Sequence, residues 1–212
     1  MTQTKTQTNP ARFRHFVTAL EQLVTVAGAD EARILDEGEK LLHDLVTHDD
    51  WLPDEFAKPE PGTYRQYLLY CDPRERFSVA SFVWAPGAGT PVHDHTVWGL
   101  VGVMRGAELC REYPLPQPGK AMQAQNEHRV GPGSVDRVSP TVGDIHTVSN
   151  ALADEVSLSI HVYGANIGAV SRHVFDAANG ASKPFVSGYH NSVLPNFWDR
   201  SAEIRAAAEA AR

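Results

Sequence analysis

The sequence predicts a mainly β domain, a sandwich or barrel, preceded by a pair of helices. Three observations predict it. Apolar residues recur at helical spacing only in roughly the first fifty positions. From Tyr64 onward, short β-prone runs alternate with turn signals. The 212 residues include 16 glycines and 14 prolines, which supplies turn chemistry for many short strands.

The elements follow in order. Asn9-Pro10 predicts an N-cap with proline in the first helical turn. Phe13, Phe16, Val17, Leu20, Leu23 and Val24 then form one apolar stripe, and Gly28 ends the helix. Asp30 is the expected cap of a second helix, whose stripe is Ile34, Leu35, Leu41, Leu42 and Leu45. Residues 52–63, with Pro53, Pro59, Pro61 and Gly62, form a connector that no helix crosses. Strands are expected at 64–70, 77–84, 99–104, 108–113, 134–138, 146–149, 156–163 and 172–175. Turn signals such as Asp72-Pro73, Arg105-Gly106 and Gly131-Pro132-Gly133 separate most of them. Residues 201–212 are Ala- and charge-rich and read as a frayed helix. The expected organisation is one domain over 1–212. Helices within 9–50 pack on a barrel of 64–176, and 177–212 form a C-terminal extension.

Composition narrows the function. The formal net charge of −7 leaves no basic excess to neutralise phosphates, which argues against a nucleic-acid or anionic-membrane partner. The apolar run 97–104 is too short to span a bilayer. Residues 1–9 are Thr- and Gln-rich with no apolar leader core, and two cysteines make no disulfide framework. The expected compartment is the reducing cytoplasm.

The informative residues are among the ten histidines. His93-Asp94-His95 places two imidazoles at i and i+2, which share a face on a strand. His146, after the tight turn Gly143-Asp144, offers a third. Such histidines can be plain surface or core residues. A second histidine segment in the right order favours ligands, and three neutral nitrogens leave a divalent ion open positions for chemistry.

These segments resemble the two cupin motifs. Gly87, His93, His95 and Gly106 fit the first, with Gly99 where a Glu is usual. Gly143, His146 and Asn150 fit the end of the second, with Pro140 displaced by one residue. The resemblance implies a double-stranded β-helix, the jelly-roll barrel of cupins, with the helical segment N-terminal to it. With Gly99 in place of the carboxylate, the ion would keep its full charge and favour anionic ligands such as a thiolate or carboxylate. Three-histidine cupins resemble the thiol dioxygenases, the cysteine dioxygenase family. That implies one Fe(II) per chain on His93, His95 and His146, no organic cofactor, and a small thiol and O2 as partners.

Residues 156–164 alternate cleanly. Leu158, Ile160 and Val162 face one way; Ser159, His161 and Tyr163 face the other. Unaided, the polar row reads equally as an exposed edge face or as a buried relay. Thiol dioxygenases carry a Ser-x-His-x-Tyr row at the matching place, which implies catalytic roles for Ser159, His161 and Tyr163. A straight row on one strand is not a hydrolase triad. Eukaryotic relatives carry a cysteine shortly after the His-x-His that cross-links to the tyrosine. Residues 96–100 contain none, so Tyr163 is expected unmodified, and Cys71 and Cys110 to be ordinary strand residues.

In Tyr64-Arg65-Gln66 a glutamine stands where arginine-type cysteine dioxygenases place the arginine that holds the substrate carboxylate. This resembles the glutamine-type bacterial enzymes that prefer 3-mercaptopropionate. There an arginine in a Ser-Arg-His context, here Arg172, holds the carboxylate, with Gln66 assisting. Arg65 points to the opposite face and is a weaker candidate; Trp98 is a weak candidate for the pocket wall. The implied activity is oxidation of a small thiol carboxylate to a sulfinic acid. The alternatives are L-cysteine as main substrate, a cupin that binds a metal or ligand without turnover, and a metal-dependent isomerase.

Overall fold

The computed structural model describes residues 9–191 and 201–210. Two helices come first, α1 (Pro10–Ala27) and α2 (Glu31–Val46). Eleven strands follow: β1 (Tyr64–Cys71), β2 (Ser78–Trp84), β3 (Val92–His93), β4 (Gly99–Arg105), β5 (Glu108–Glu112), β6 (Asn126–Val130), β7 (Val135–Val138), β8 (His146–Asn150), β9 (Ser157–Tyr163), β10 (Arg172–Phe175) and β11 (Ser182–Phe185). Helix α3 (Ser201–Ala210) closes the described chain.

The strands form two antiparallel sheets, in the orders β1-β2-β9-β4-β7 and β11-β10-β3-β8-β5-β6. This is the double-stranded β-helix of cupins. The first sheet is buried on both faces. Leu158, Ile160 and Val162 join Leu20, Leu35 and Leu42 of the helices in one core. On the other face Ala80, Phe82, Trp84 and Tyr163 pack with Val148 of the second sheet. That is why every residue of β2 and β9 is buried. Helix α2 lies close on β4 because Gly102 has no side chain; a Cβ there would stand 3.0 Å from Leu42 and Val46.

The helix signals place both helices correctly, with one change. Asp30 accepts from the Arg33 N–H at 3.1 Å and caps α2. Asn9 makes no side-chain cap; its amide donates to Asp50 instead, 3.3 Å away. The connector holds a short 3-10 turn, Asp54–Phe56. Three strands fall outside the strand ranges expected from the sequence, although a strand was expected at the His-x-His. β6 and β11 are edge strands held mainly by their ladders, so they carry little apolar alternation. β3 is only two residues long. The expected C-terminal helix is present at 201–210, while residues 1–8 lie outside the described residues. No described helix is long and apolar enough to cross a membrane.

Candidate active site

The three histidines converge. His93 ends β3 and pairs in register with His146 at the start of β8. His95 is not on a strand, contrary to the expectation that the His-x-His lies along one. The chain turns out of β3, and Asp144 captures it. Asp144 Oδ1 accepts from the His95 backbone at 2.9 Å and lies 3.0 Å from its ring Nδ1, while Oδ2 accepts from the Thr96 N–H at 2.9 Å. Thr96 sits at φ 61°, a costly conformation for a β-branched residue that these bonds maintain. Asp94 turns away and binds β10, accepting from the His173 backbone at 2.7 Å.

The three ring centroids lie 4.8–4.9 Å apart, and a nitrogen from each ring lies within 4.8 Å of the others. Each Nδ1 already has a partner: the Pro91 carbonyl at 3.1 Å for His93, Asp144 for His95, and Cys110 Sγ at 3.5 Å for His146. The free nitrogen of each ring is therefore Nε2, and the partners fix tautomer and orientation. Burial is the main cause that lowers all three pKa values; neighbouring imidazoles add to it for His93 and His146, while Asp144 opposes it for His95. Three neutral lone-pair donors in one buried place fit a divalent transition metal. Among the described residues no carboxylate joins them. A Cβ at Gly99 would stand 2.8 Å from the Tyr163 ring and from Val138, so the usual Glu position is filled by the tyrosine.

Beside the histidines runs the polar row of β9. Ser159 Oγ lies 2.8 Å from His161 Nε2, and His161 Nδ1 lies 2.8 Å from the Tyr163 hydroxyl. The row is buried, which rejects the exposed-edge alternative. The Trp84 indole donates to Ser159 Oγ at 3.1 Å, and Phe82 stacks on His161 at 3.9 Å. Burial lowers the His161 pKa and raises that of Tyr163, so both are neutral near pH 7.

A cavity of about 180 Å³ joins these groups; His93, His146, His161, Tyr163, Gln66 and Arg172 all line it. Arg172 donates from Nη2 to Ser187 at 2.9 Å and lies over the Phe185 ring at 4.6 Å. Its Nε and the Gln66 Nε2 are buried without a hydrogen-bond partner among the described residues. Arg65 points outward and pairs with Glu60.

The sequence matches the cysteine dioxygenase type I family over residues 1–176. The chain belongs to that family. Membership makes it a thiol dioxygenase with a three-histidine group that can hold a metal. Solved structures of similar shape include a double-stranded β-helix protein from Klebsiella pneumoniae. It is 14% identical, covers 65% of this chain and 97% of its own, and has a TM-score of 0.43. A Thermus thermophilus protein is 18% identical over 53% of this chain and 92% of its own, with a TM-score of 0.41. A cupin-like protein from Thermotoga maritima is 24% identical over 47% and 67%, with a TM-score of 0.36.

In this cysteine dioxygenase family member the structure departs from the sequence reading at two side chains, Cys110 and Trp98. Cys110 is more than a strand residue: it stands behind the ligand candidate His146. Cys71 is the strand residue expected: it ends β1 and is buried. Trp98 does not line the cavity; it packs over Gly164. Sequence reasoning also missed Asp144 and Trp84 as supports. Asp144 was open to discovery, as a carboxylate two residues before a ligand candidate. Trp84 was not, because its contact crosses from β2 to β9.

Proposed function

We propose that this family member is a mononuclear Fe(II) enzyme whose favoured substrate is 3-mercaptopropionate. The observation that carries the reading is the buried cation of Arg172, unpaired among the described residues, beside the unpartnered Gln66 amide, in a cavity that no described Asp or Glu lines. Burial lowers the Arg172 pKa, yet a guanidinium stays charged in proteins. A buried charge without a counter-ion is costly, so the site is built to receive an anion. With no carboxylate opposite, it offers no partner for an α-ammonium. A thiol with a carboxylate and no amine satisfies both conditions.

Fe(II) on His93, His95 and His146 would supply a centre that binds thiolate and activates dioxygen. Overall, both oxygen atoms go to sulfur; the sulfur loses the electrons that dioxygen gains, so no outside reductant is needed. The chain's own residues do the remainder. Arg172 and Gln66 anchor the carboxylate and so set where the sulfur reaches. Tyr163, oriented by His161, presents its hydroxyl beside the histidines and donates a hydrogen bond to the reacting group. Phe82, Trp84 and Phe185 exclude water.

Oxygen uptake by iron-loaded protein, with products identified by mass, tests the reading. The expected result is mercaptopropionate sulfinate, with kcat/KM above that for L-cysteine. Preference for cysteine would replace the substrate; no thiol-dependent uptake would remove the oxygenase reading.

A further inference from the structure

Glu108 is a buried carboxyl that the chemistry above leaves unused. It opens β5 and makes no ion pair among the described residues. Its Oε1 lies 3.1 Å from Ser157 Oγ, and that hydroxyl lies equally 3.1 Å from the Arg105 carbonyl. Ser157 can thus donate to an ionised Glu108, or donate to Arg105 and accept from a protonated one. Ser157 stands two residues before Ser159 on the same face of β9. Trp84 pairs in register with Ser157 while its indole reaches Ser159. Burial raises the Glu108 pKa, Ser159, Ser157 and Trp84 oppose it, and the result is pushed up to about 7. The carboxyl sits at the serine end of the row; Tyr163, at the other end, lines the cavity.

The cavity poses a proton problem. A thiol that binds as thiolate must lose its proton. No described Asp or Glu lines the cavity, and the free nitrogens of His93 and His146 would be taken up by the metal. The hydrogen-bonded row Tyr163–His161–Ser159 leads away from the cavity.

We propose that Glu108, acting through Ser159 and His161, takes up the proton that the substrate thiol loses on binding. The proposal rests on the thiol dioxygenase reading. Before binding, Ser159 points its O–H toward the Glu108 carboxylate. His161 carries its proton on Nε2 and gives it to Ser159 Oγ, and the bare Nδ1 accepts from the Tyr163 hydroxyl. The thiol passes its proton to Tyr163 Oη. Tyr163 passes its own to His161 Nδ1, His161 Nε2 passes one to Ser159, and Ser159 passes one to Glu108. One S–H bond breaks and one carboxyl O–H forms; tyrosine, imidazole and serine end neutral. The same shift leaves the Tyr163 O–H pointing into the cavity as a donor.

The groups facing Glu108 are few. Asp136 on β7 raises its pKa. Cys110 on its own strand is a thiol pushed up to about 12 by burial. Tyr163 on β9 feels its charge, and its register partners, Asn150 on β8 and Val130 on β6, do not titrate.

The test is proton release on binding 3-mercaptopropionate to anaerobic iron-loaded protein, read by calorimetry in buffers of different ionisation enthalpy. Wild type should release about one proton at about pH 6, where Glu108 is already protonated, and close to none at about pH 8, where the negative charge brought in by the bound thiolate holds the proton on Glu108. Glu108→Gln should release about one at both, and its pH–kcat/KM profile should lose the limb near pH 7. Wild-type release at about pH 8 equal to that of Glu108→Gln overturns the proposal. A second readout needs no thiol: nitrogen NMR of the zinc-loaded protein. The His161 proton should move from Nδ1 to Nε2 as pH rises in wild type, and stay on Nδ1 in Glu108→Gln. The same movement in both proteins overturns the proposal. If no thiol binds, the thiol reading falls, and the NMR result alone decides the relay.

Discussion

At the scale of single residues, what matters is which polar groups are left unpartnered and which are tied. Arg172 carries a buried charge with one hydroxyl and one aromatic face for company. Replacing it with Ala should cost about 2–5 kcal/mol for a carboxylate substrate, or roughly thirtyfold or more in kcat/KM. A thiol lacking a carboxylate, such as cysteamine, should lose far less; equal losses for both would move the anchor elsewhere. Tyr163 is tied at its hydroxyl to His161. Tyr163→Phe should retain iron and slow single-turnover oxygenation by about a hundredfold to a thousandfold, the usual worth of one preorganised donor. Wild-type oxygenation in that variant would reduce the row to a packing feature.

At the scale of elements, the metal centre is a meeting of two strand ends and one loop. β3 and β8 bring His93 and His146 side by side, and Asp144 pulls the loop after β3 back so that His95 completes the group. Asp144 holds His95 at two points and Thr96 at a third, against the strain at Thr96. Asp144→Asn keeps the shape but loses an acceptor. Metal affinity should fall by about tenfold to a hundredfold, measured by competition with a chelator. Unchanged affinity would mean the strand ends alone define the centre. His93, His95 or His146→Ala should instead abolish retention outright, since two neutral nitrogens do not hold a labile divalent ion.

At the scale of the whole molecule, buried groups set the acid limit. His161 has a pKa well below its ordinary 6.5, because burial disfavours its charged form. The unfolded chain takes up a proton that the native one refuses, so this stability is present above pH 6.5 and is lost as pH falls below it. Asp72 adds a second step lower down. Its carboxylate, held below 3.8 mainly by Arg76, ties the β1–β2 turn to α1 through the Arg76 contact with Thr25. That contribution is present above pH 3.8 and is lost as pH falls through the lowered value. Denaturant melts should show stability declining first below 6.5 and again in the Asp72 range. His161→Asn should remove the first decline as far as it arises from that ring; a decline unchanged in the variant would assign it to other groups.

The sequence by itself determined the helices, eight of the eleven strands and the order of the two histidine segments. These are local properties: period, turn residues and caps act within a few positions. It also determined that Ser159, His161 and Tyr163 share a face, because alternation along a strand is geometric. The edge strands β6 and β11 escaped it, because their order comes from backbone ladders to neighbours rather than from their own side chains. Only the tertiary structure decided which face of β9 is the interior, since both faces of the first sheet are covered, one by helices and one by the second sheet. It decided how His95 reaches the centre, through a carboxylate 49 residues away. It also decided that Cys110, Trp84 and Glu108 stand behind the site rather than apart from it. Those placements depend on which strands become neighbours, and strand neighbourhood is set by packing over the whole chain, not by any window of it.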